Sequence, residues 1–449
     1  MGVLGVLFLT LSAATPASSI FVIVPDILAQ AGTGALVAMA GAAAIAACVS
    51  VIYAELCSAF PFSGGEYAIV GRVLGPLAGF VVLALNLLNT ILGGAVLALG
   101  VSGYLAATIP GMPAVPTAVA VFAGATALGV LNIRTNALVT GLFVAVEIAA
   151  LAVLAWLGFA HVARDPADLF AHPLVMAGAG RLAPAPAVSV GMAIAVAIFA
   201  YDGYGSAVYF GEEMRRARAR IAGAILIACA VIAAAEFLPL LGVLAGAPDL
   251  AALLGSSSPL IGFVRGAAGS PVAEAMAVGV ALAIVNAVIA IVLLSARQLY
   301  STGRDATWPG PLNRALTRIH PRFRSPWVAT LAAGAIGAGL CFVDLKLLLI
   351  ATGTGITLVY AILCLALLAG RRTGVTAGSF YRQPWAPLVA ALTLVALAGV
   401  VWADWADPSE GRPGLFVSVA IAAVAALYYG IVLRRRGGWT LVGPDDPDG

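Results

Sequence analysis

Charged residues make up only 10% of this 449-residue chain against 62% hydrophobic, and the mean hydropathy is +1.07. Soluble domains carry about 25% charge, so that class is excluded. Histidine is scarce as well: His161, His172 and His320 fall between the apolar runs and form no cluster. A membrane enzyme needs a nucleophile with its base, or a set of metal ligands, at bilayer depth. Neither is present, so no catalytic residue, metal or cofactor is expected. The five cysteines, Cys48, Cys57, Cys229, Cys341 and Cys364, stand singly within apolar runs without metal or redox spacing and read as small core residues. No basic residue precedes the first apolar run, which continues past signal-peptide length and so reads as a span.

What the chain has in abundance is apolar sequence of membrane-spanning length. Runs near 20 residues number about twelve, at roughly 3–30, 34–59, 75–109, 116–132, 136–160, 187–210, 220–246, 272–300, 326–343, 346–369, 386–404 and 414–433. The expectation is an all-α polytopic membrane protein. With the N-terminus inside, 18 of the 23 basic residues fall on the inner face, among them Arg72, Arg134, Arg215, Arg216 and the terminal Arg434, Arg435 and Arg436. That bias predicts a multi-pass protein of the cytoplasmic membrane with both termini cytoplasmic. The net charge of +3 is then an orientation signal, and no nucleic-acid partner is expected.

One stretch breaks the apolar pattern from within. In Ala197–Arg216, AIFAYDGYGSAVYFGEEMRR, span 6 carries Asp202, Gly203, Tyr204, Gly205 and Ser206 at its middle. Backbone that leaves the helix at that depth must be buried in protein or line a watery cavity, and an intramembrane carboxylate marks a pathway or a partner. The alternative is a glycine-rich packing face with the aspartate satisfied by a neighbouring helix. Span 1 is interrupted as well, by Thr15, Pro16, Ala17, Ser18 and Ser19, where proline removes a backbone donor. Breaks five spans apart predict two five-helix repeats in inverted topology with a site at their interface. The repeats are read as 1–160 (spans 1–5) and 186–370 (spans 6–10), followed by 385–434 (spans 11 and 12) and a cytoplasmic tail at 435–449.

Span 2 ends in YAELCSAFPFSGGEYAIVGRVLG, where Gly64-Gly65 reads as a turn into a short helix opened by Glu66. The charge bias puts Glu55, Glu66 and Arg72 on the inner face with Arg215 and Arg216 opposite, a candidate cytoplasmic gate. This run and FAYDGYGSAVYFGEEMRRARARI resemble the corresponding segments of the amino acid, polyamine and organocation (APC) transporter superfamily. The likeness runs from about residue 3 to 433. The resemblance implies an inverted-repeat fold with broken helices 1 and 6, alternating access, a substrate related to amino acids, and a re-entrant outer gate at 246–270. Two departures stand out. Pro16-Ala17-Ser18-Ser19 replaces the glycine-rich unwinding of many members, and Glu147 stands where some proton-coupled relatives carry a lysine.

A zwitterionic substrate needs donors for its carboxylate and acceptors for its ammonium. The N–H groups after the span 1 break, around Ala17–Ile20, are the expected carboxylate binders, assisted by the Ser18 and Ser19 hydroxyls. Carbonyls at Ala13, Ala14, Phe199, Ala200 and Tyr201 are the expected ammonium acceptors, with Asp202 adding a full charge. The expected substrate-binding set is thus Ala14, Pro16, Ala17, Ser18, Ser19, Phe199, Ala200, Asp202, Gly203 and Tyr204. Phe199 and Tyr204 are read as aromatic walls or as core packing.

The polar residues of span 3 (Asn86, Asn89, Thr90), span 8 (Asn286) and span 10 (Thr352, Thr354, Thr357) read as helix-packing groups. The resemblance implies that a sodium site would pair span 1 carbonyls with span 8 hydroxyls; span 8 has no serine or threonine over 272–294, which disfavours one. Glu147 lies about 17 Å into span 5, where the bilayer disfavours its charged form. It is the candidate proton carrier, or else a carboxylate permanently bonded to a neighbour. Together these readings point to an amino acid or amine permease that partners with lipid and with protons; a polyamine or organic-cation permease, a channel, or a non-transporting sensor on the same fold stay open.

Overall fold

The computed structural model describes residues 3–61, 64–105, 111–131, 133–177, 180–214, 216–436 and 439. These residues are nearly all helical. Nine helical stretches among them are long and apolar enough to cross a membrane, and Ala114–Val130, Pro259–Ala268 and Trp327–Leu340 are shorter apolar helices.

The first membrane-length stretch is interrupted as its proline predicts. Helix α1 (Val3–Ala14) stops at Thr15, whose φ of 47° and ψ of 63° are left-handed. A residue before proline is pushed out of the right-handed helical region, and Pro16 has no N–H to return to the carbonyl of Ser12. The chain resumes as α2 (Pro16–Ser18), widens into a π-turn at Ser19–Ile23 and continues as α3 (Val24–Ala31). It turns back at Gly32, where a side chain would strike the Leu174 carbonyl oxygen at 2.0 Å, and enters α4 (Ala35–Ala59).

Next come α5 (Glu66–Leu74), α6 (Pro76–Leu105), α7 (Ala114–Val130), α8 (Ile133–Ala160) and α9 (Pro166–Ala171). A two-stranded antiparallel hairpin follows, β1 (Leu174–Ala177) with β2 (Arg181–Pro184), Leu174 opposite Pro184. The expectation of purely helical structure did not include this hairpin. It sits between spans as a local cover, docked to the end of span 1 by a hydrogen bond from the Leu174 N–H to the Thr33 hydroxyl at 2.7 Å.

Helix α10 (Ala187–Tyr201) ends at the second break: Asp202 is extended, Gly203 has a φ of 116°, and a 3₁₀ segment runs over Tyr204–Glu213. Then follow α11 (Ala217–Gly246), the short α12 (Leu250–Leu254) and α13 (Pro259–Ala268), and α14 (Ser270–Arg304). The remainder is α15 (Gly310–Leu316), α16 (Trp327–Leu340), α17 (Leu345–Thr373), α18 (Ala386–Ala406) and α19 (Gly411–Tyr428).

Small residues set the closest approaches. A Cβ on Gly158 of α8 would stand 2.2 Å from the carbonyl carbon of Gly242 on α11, and one on Gly353 of α17 would stand 2.6 Å from the Ala195 carbonyl oxygen on α10. In hydrocarbon, where the hydrophobic effect gives helices no reason to associate, such backbone contact is a main source of packing energy. The TGTG string Thr352–Gly355 of α17 serves this purpose, Gly353 lying against α10 and Gly355 against Asn89 of α6. The hydroxyls of this stretch bond back into the helix, Thr352 to Leu348 O, Thr354 to Ile350 O and Thr357 to Gly353 O, and Thr354 also meets the Ser418 hydroxyl of α19 at 2.9 Å.

Candidate functional site

The two breaks meet. A Cβ on Gly203 would lie 2.6 Å from Ala14 Cα, so the unwound turn of span 6 rests directly on the last residue of α1. Around this contact lies a cavity of about 110 Å³, several times the minimum of about 10–15 Å³ that holds one water. Span 1 contributes Ala13, Ala14, Thr15, Ser19 and Ile23 to its wall; span 6 contributes Phe199, Asp202, Gly203, Gly205, Ser206 and Tyr209. Polar groups from α6 (Asn86, Asn89, Thr90) and α14 (Gln298) complete it, with Tyr53 of α4, Glu66 of α5 and Tyr360 of α17. Among the lining residues there are two carboxyls, Asp202 and Glu66, and no lysine or arginine.

Asp202 accepts a hydrogen bond from the Tyr360 hydroxyl at 2.9 Å and stands beside the Gly203 N–H. Its partners are thus a phenol from α17 and the freed backbone of the break. Tyr360 belongs to a cluster with Tyr53 and Tyr204, ring centroids 5.9–6.3 Å apart. Tyr204 is fully buried in that cluster and is not among the cavity-lining residues, whereas Phe199 lines the cavity and lies against Gly93 of α6.

The expected binding residues of span 1 divide about the break. Ala14 and Ser19 line the cavity; Pro16, Ala17 and Ser18 are buried behind it. The Ser19 N–H is taken by the Thr15 carbonyl at 3.1 Å, and the Ser19 hydroxyl donates to the Ala200 carbonyl at 3.0 Å. Ala200 itself is not among the lining residues; its carbonyl meets the wall through Ser19. The Phe199 carbonyl accepts the Asp202 N–H at 3.1 Å. Ala17 turns its N–H toward Glu147 of α8, which also faces the Asn286 side chain of α14. Neither Glu147 oxygen makes a hydrogen bond of full geometry.

Two of the expected gate residues, Glu66 and Glu55, sit in separate buried clusters. Glu66 opens α5 behind Gly65, where a Cβ would meet the Tyr209 ring at 2.5 Å. Its carboxylate accepts from the Tyr53 hydroxyl at 3.0 Å and the Tyr209 hydroxyl at 2.5 Å, and Gln298 donates to Tyr209 at 2.9 Å. Burial pushes the Glu66 carboxyl up from the ordinary range while the two phenol donors pull it back. Glu55, wholly buried, instead holds Arg371 in a fork: Nε to Oε1 and Nη2 to Oε2, each at 2.5 Å. Arg72 is half-buried on α5. Arg215 lies outside the described residues.

Sequence reasoning missed Tyr53, Tyr209, Gln298 and Tyr360 as wall residues, and Glu236 of α11 altogether. A tyrosine or glutamine inside an apolar run was the available signal, but each partner lies far along the chain: Tyr360 and Asp202 are separated by 158 positions.

A polar cavity at the junction of two interrupted helices, within a bundle of membrane-length helices, is the architecture of a multi-pass membrane protein, and the comparisons with known proteins make it a transporter. A family model described as amino acid permease matches residues 1–432, and the chain belongs to that family, within the APC superfamily. It is 28% identical to an uncharacterized transporter of Mycobacterium tuberculosis over 90% of this chain and 86% of the relative. It is 26% identical to the branched-chain amino acid permease BcaP of Lactococcus lactis over 96% and 94% respectively. With the methylthioribose transporter of Bacillus subtilis the identity is 23% over 86% of each.

Proposed function

We propose that this chain is a secondary transporter that carries an amino acid or related amine across the cytoplasmic membrane by alternating access, with both termini cytoplasmic. The supporting observation is the placement of Asp202, the Gly203 turn, Ala14 and Ser19 around one cavity, which sets an acidic group against the ends of two broken helices. The same geometry fits the five-plus-five inverted repeat, with α7, α16 and the two arms of the Gly5–Ala59 stretch completing about twelve crossings. A permease named for branched-chain amino acids among the relatives favours an amino acid. Two lining carboxyls without a lining cation favour, as a second reading, a polyamine or other organic cation. Uptake and counterflow of an amino acid and amine panel in proteoliposomes test the proposal. Saturable, trans-stimulated flux supports a carrier, a non-saturating conductance means a channel, and binding without flux means a sensor.

Within this reading Asp202 faces the substrate amine. Replacing Asp202 by Asn is expected to weaken amine-only substrates about tenfold or more, roughly the cost of removing one partner of a charge-assisted hydrogen bond. Zwitterions, held also at their carboxylate, lose less. Binding constants for the two classes check this, and equal losses would make Asp202 structural.

Coupling is to protons or by exchange, and sodium is not used. Glu147, beside Ala17 and Asn286, is the first proton carrier, since its buried carboxyl faces the segment behind the helix break. Replacing Glu147 by Gln is expected to abolish accumulation driven by a pH gradient, with a much smaller loss of exchange. Severalfold stimulation of wild-type uptake by sodium at fixed pH would overturn this assignment. Glu55, Glu66, Arg72 and Arg215 belong to the cytoplasmic gate in this scheme.

A further inference from the structure

Glu236 sits within α11 with no solvent exposure, and neither carboxyl oxygen has a hydrogen-bond partner. Burying an ionised carboxylate without compensation is among the costliest choices a membrane helix can make. Its surroundings suggest what it does. The close contact of Gly158 with Gly242 brings α11 and α8 together, and each helix turns one carboxyl toward the segment after the span 1 break. Glu147 of α8, which packs on Pro16–Ser18, faces the Ala17 N–H, and Glu236 of α11, which packs on the Ser19–Ile23 turn, faces the Ser19 hydroxyl, neither at hydrogen-bond geometry. Between those two positions stands Ser18, whose Oγ is buried and unpartnered.

The hydrogen-bond inventory at Ser19 fixes the roles. A serine hydroxyl has one proton and two lone pairs. That proton is given to the Ala200 carbonyl at 3.0 Å, so toward Glu236 the Ser19 oxygen can only accept. A carboxylate has nothing to donate, and a carboxylic acid has one O–H. Among the described residues the titratable group beside Glu236 is the Tyr201 phenol of α10, itself unpartnered; Cys229 of α11 neighbours Tyr201, and Cys48 of α4 neighbours Cys229. None of them is a cation. Ser19, unlike Glu147 or Glu236, is part of the cavity wall.

We propose that Glu236 is a second proton-binding site of this transporter, and that Ser19 links its protonation to the substrate cavity. A proton taken from water on one side of the membrane converts the carboxylate to the acid, which donates its O–H to Ser19 Oγ and leaves the serine proton on the Ala200 carbonyl. Release of that proton to water on the other side restores the carboxylate, which then competes for the serine hydroxyl and draws it off Ala200, next to the Asp202 turn. The proposal rests on the proton-linked reading above and adds the group that communicates with the substrate.

The test uses the full-length protein in proteoliposomes without sodium. Wild type accumulates substrate under an inwardly directed proton gradient. Replacing Glu236 by Gln is expected to cut that accumulation at least about tenfold while counterflow at symmetric pH falls by less than about threefold, a split that uniform structural damage does not produce. Glu236→Asp should recover part of the accumulation. Accumulation by E236Q equal to wild type would overturn this inference and leave the Glu147 reading standing; a wild type indifferent to the gradient would overturn both. If E236Q fails to fold, the wild-type protein decides: dicyclohexylcarbodiimide, which labels buried protonated carboxyls, should modify Glu236 by peptide mapping, less at alkaline pH and less with substrate bound. Glu236 left unlabelled under all conditions would equally overturn the proposal.

Discussion

Replacing Gly203 by alanine is expected to lower transport by about tenfold or more, with a measurable loss of thermal stability. Two costs combine at this residue. Its φ of 116° is a conformation that a side chain strains by about 1–3 kcal/mol. The added Cβ would also lie 2.6 Å from Ala14 Cα, 2.8 Å from Ala14 Cβ and 3.1 Å from Ala14 N. Every one of those atoms belongs to the end of α1 or is rigidly attached to it, so relief requires moving the first half of span 1 away from span 6. Ala14 and Gly203 both line the cavity, and that movement changes the site itself. Gly205 supplies the comparison. A Cβ there meets the Tyr53 ring at 2.8 Å, a side chain able to shift, so G205A should be the milder variant. Melting temperature and uptake measured on both variants decide the matter; wild-type uptake in G203A would show that the two breaks need not touch.

The breaks themselves were legible in the sequence because their causes are local. Pro16 removes a donor and Gly203 permits a positive φ wherever they occur in a helix. What the sequence could not give is the rotation of the chain after each break. Ser18 and Ser19 are adjacent and chemically alike, yet Ser19 faces the cavity and Ser18 faces away. A left-handed Thr15 followed by a π-turn alters the usual 100° per residue, so helical spacing no longer says which side is which. Glu236 was hidden for a different reason. It stands alone in an alanine- and leucine-rich run, and the groups that give it meaning, Ser19 and Tyr201, arrive only through folding. Glu66 was placed correctly at the head of a short helix, but its two phenol partners come from α4 and from the 3₁₀ segment of span 6, which carries it into the cavity wall.

Replacing Arg371 by alanine should be the most destabilising single change at the proposed gate. The guanidinium grips the wholly buried Glu55 with two hydrogen bonds of 2.5 Å, and its Nη2 also donates to the Gln383 carbonyl at 2.6 Å. One side chain thereby ties the end of α4 to the end of α17 and to the loop that follows it. Ser379 reinforces the same corner by donating to the Glu55 carbonyl at 2.9 Å. Removing one member of a buried pair leaves the other charge uncompensated, at a cost of about 3–5 kcal/mol. Arg371 keeps 16% of its side chain exposed, which lets water reach the site and puts the expected loss near the lower end. Arg371→Lys preserves the charge but not the planar fork, so its loss should be intermediate. Unfolding midpoints of R371A, E55Q and the double variant, combined as a double-mutant cycle, give the coupling directly. A coupling near zero would mean the pair is not a brace. If the pair also opens during transport, R371K should change the maximal rate of uptake more than the KM, because the bond it weakens lies outside the substrate cavity and is broken only when the inner face opens.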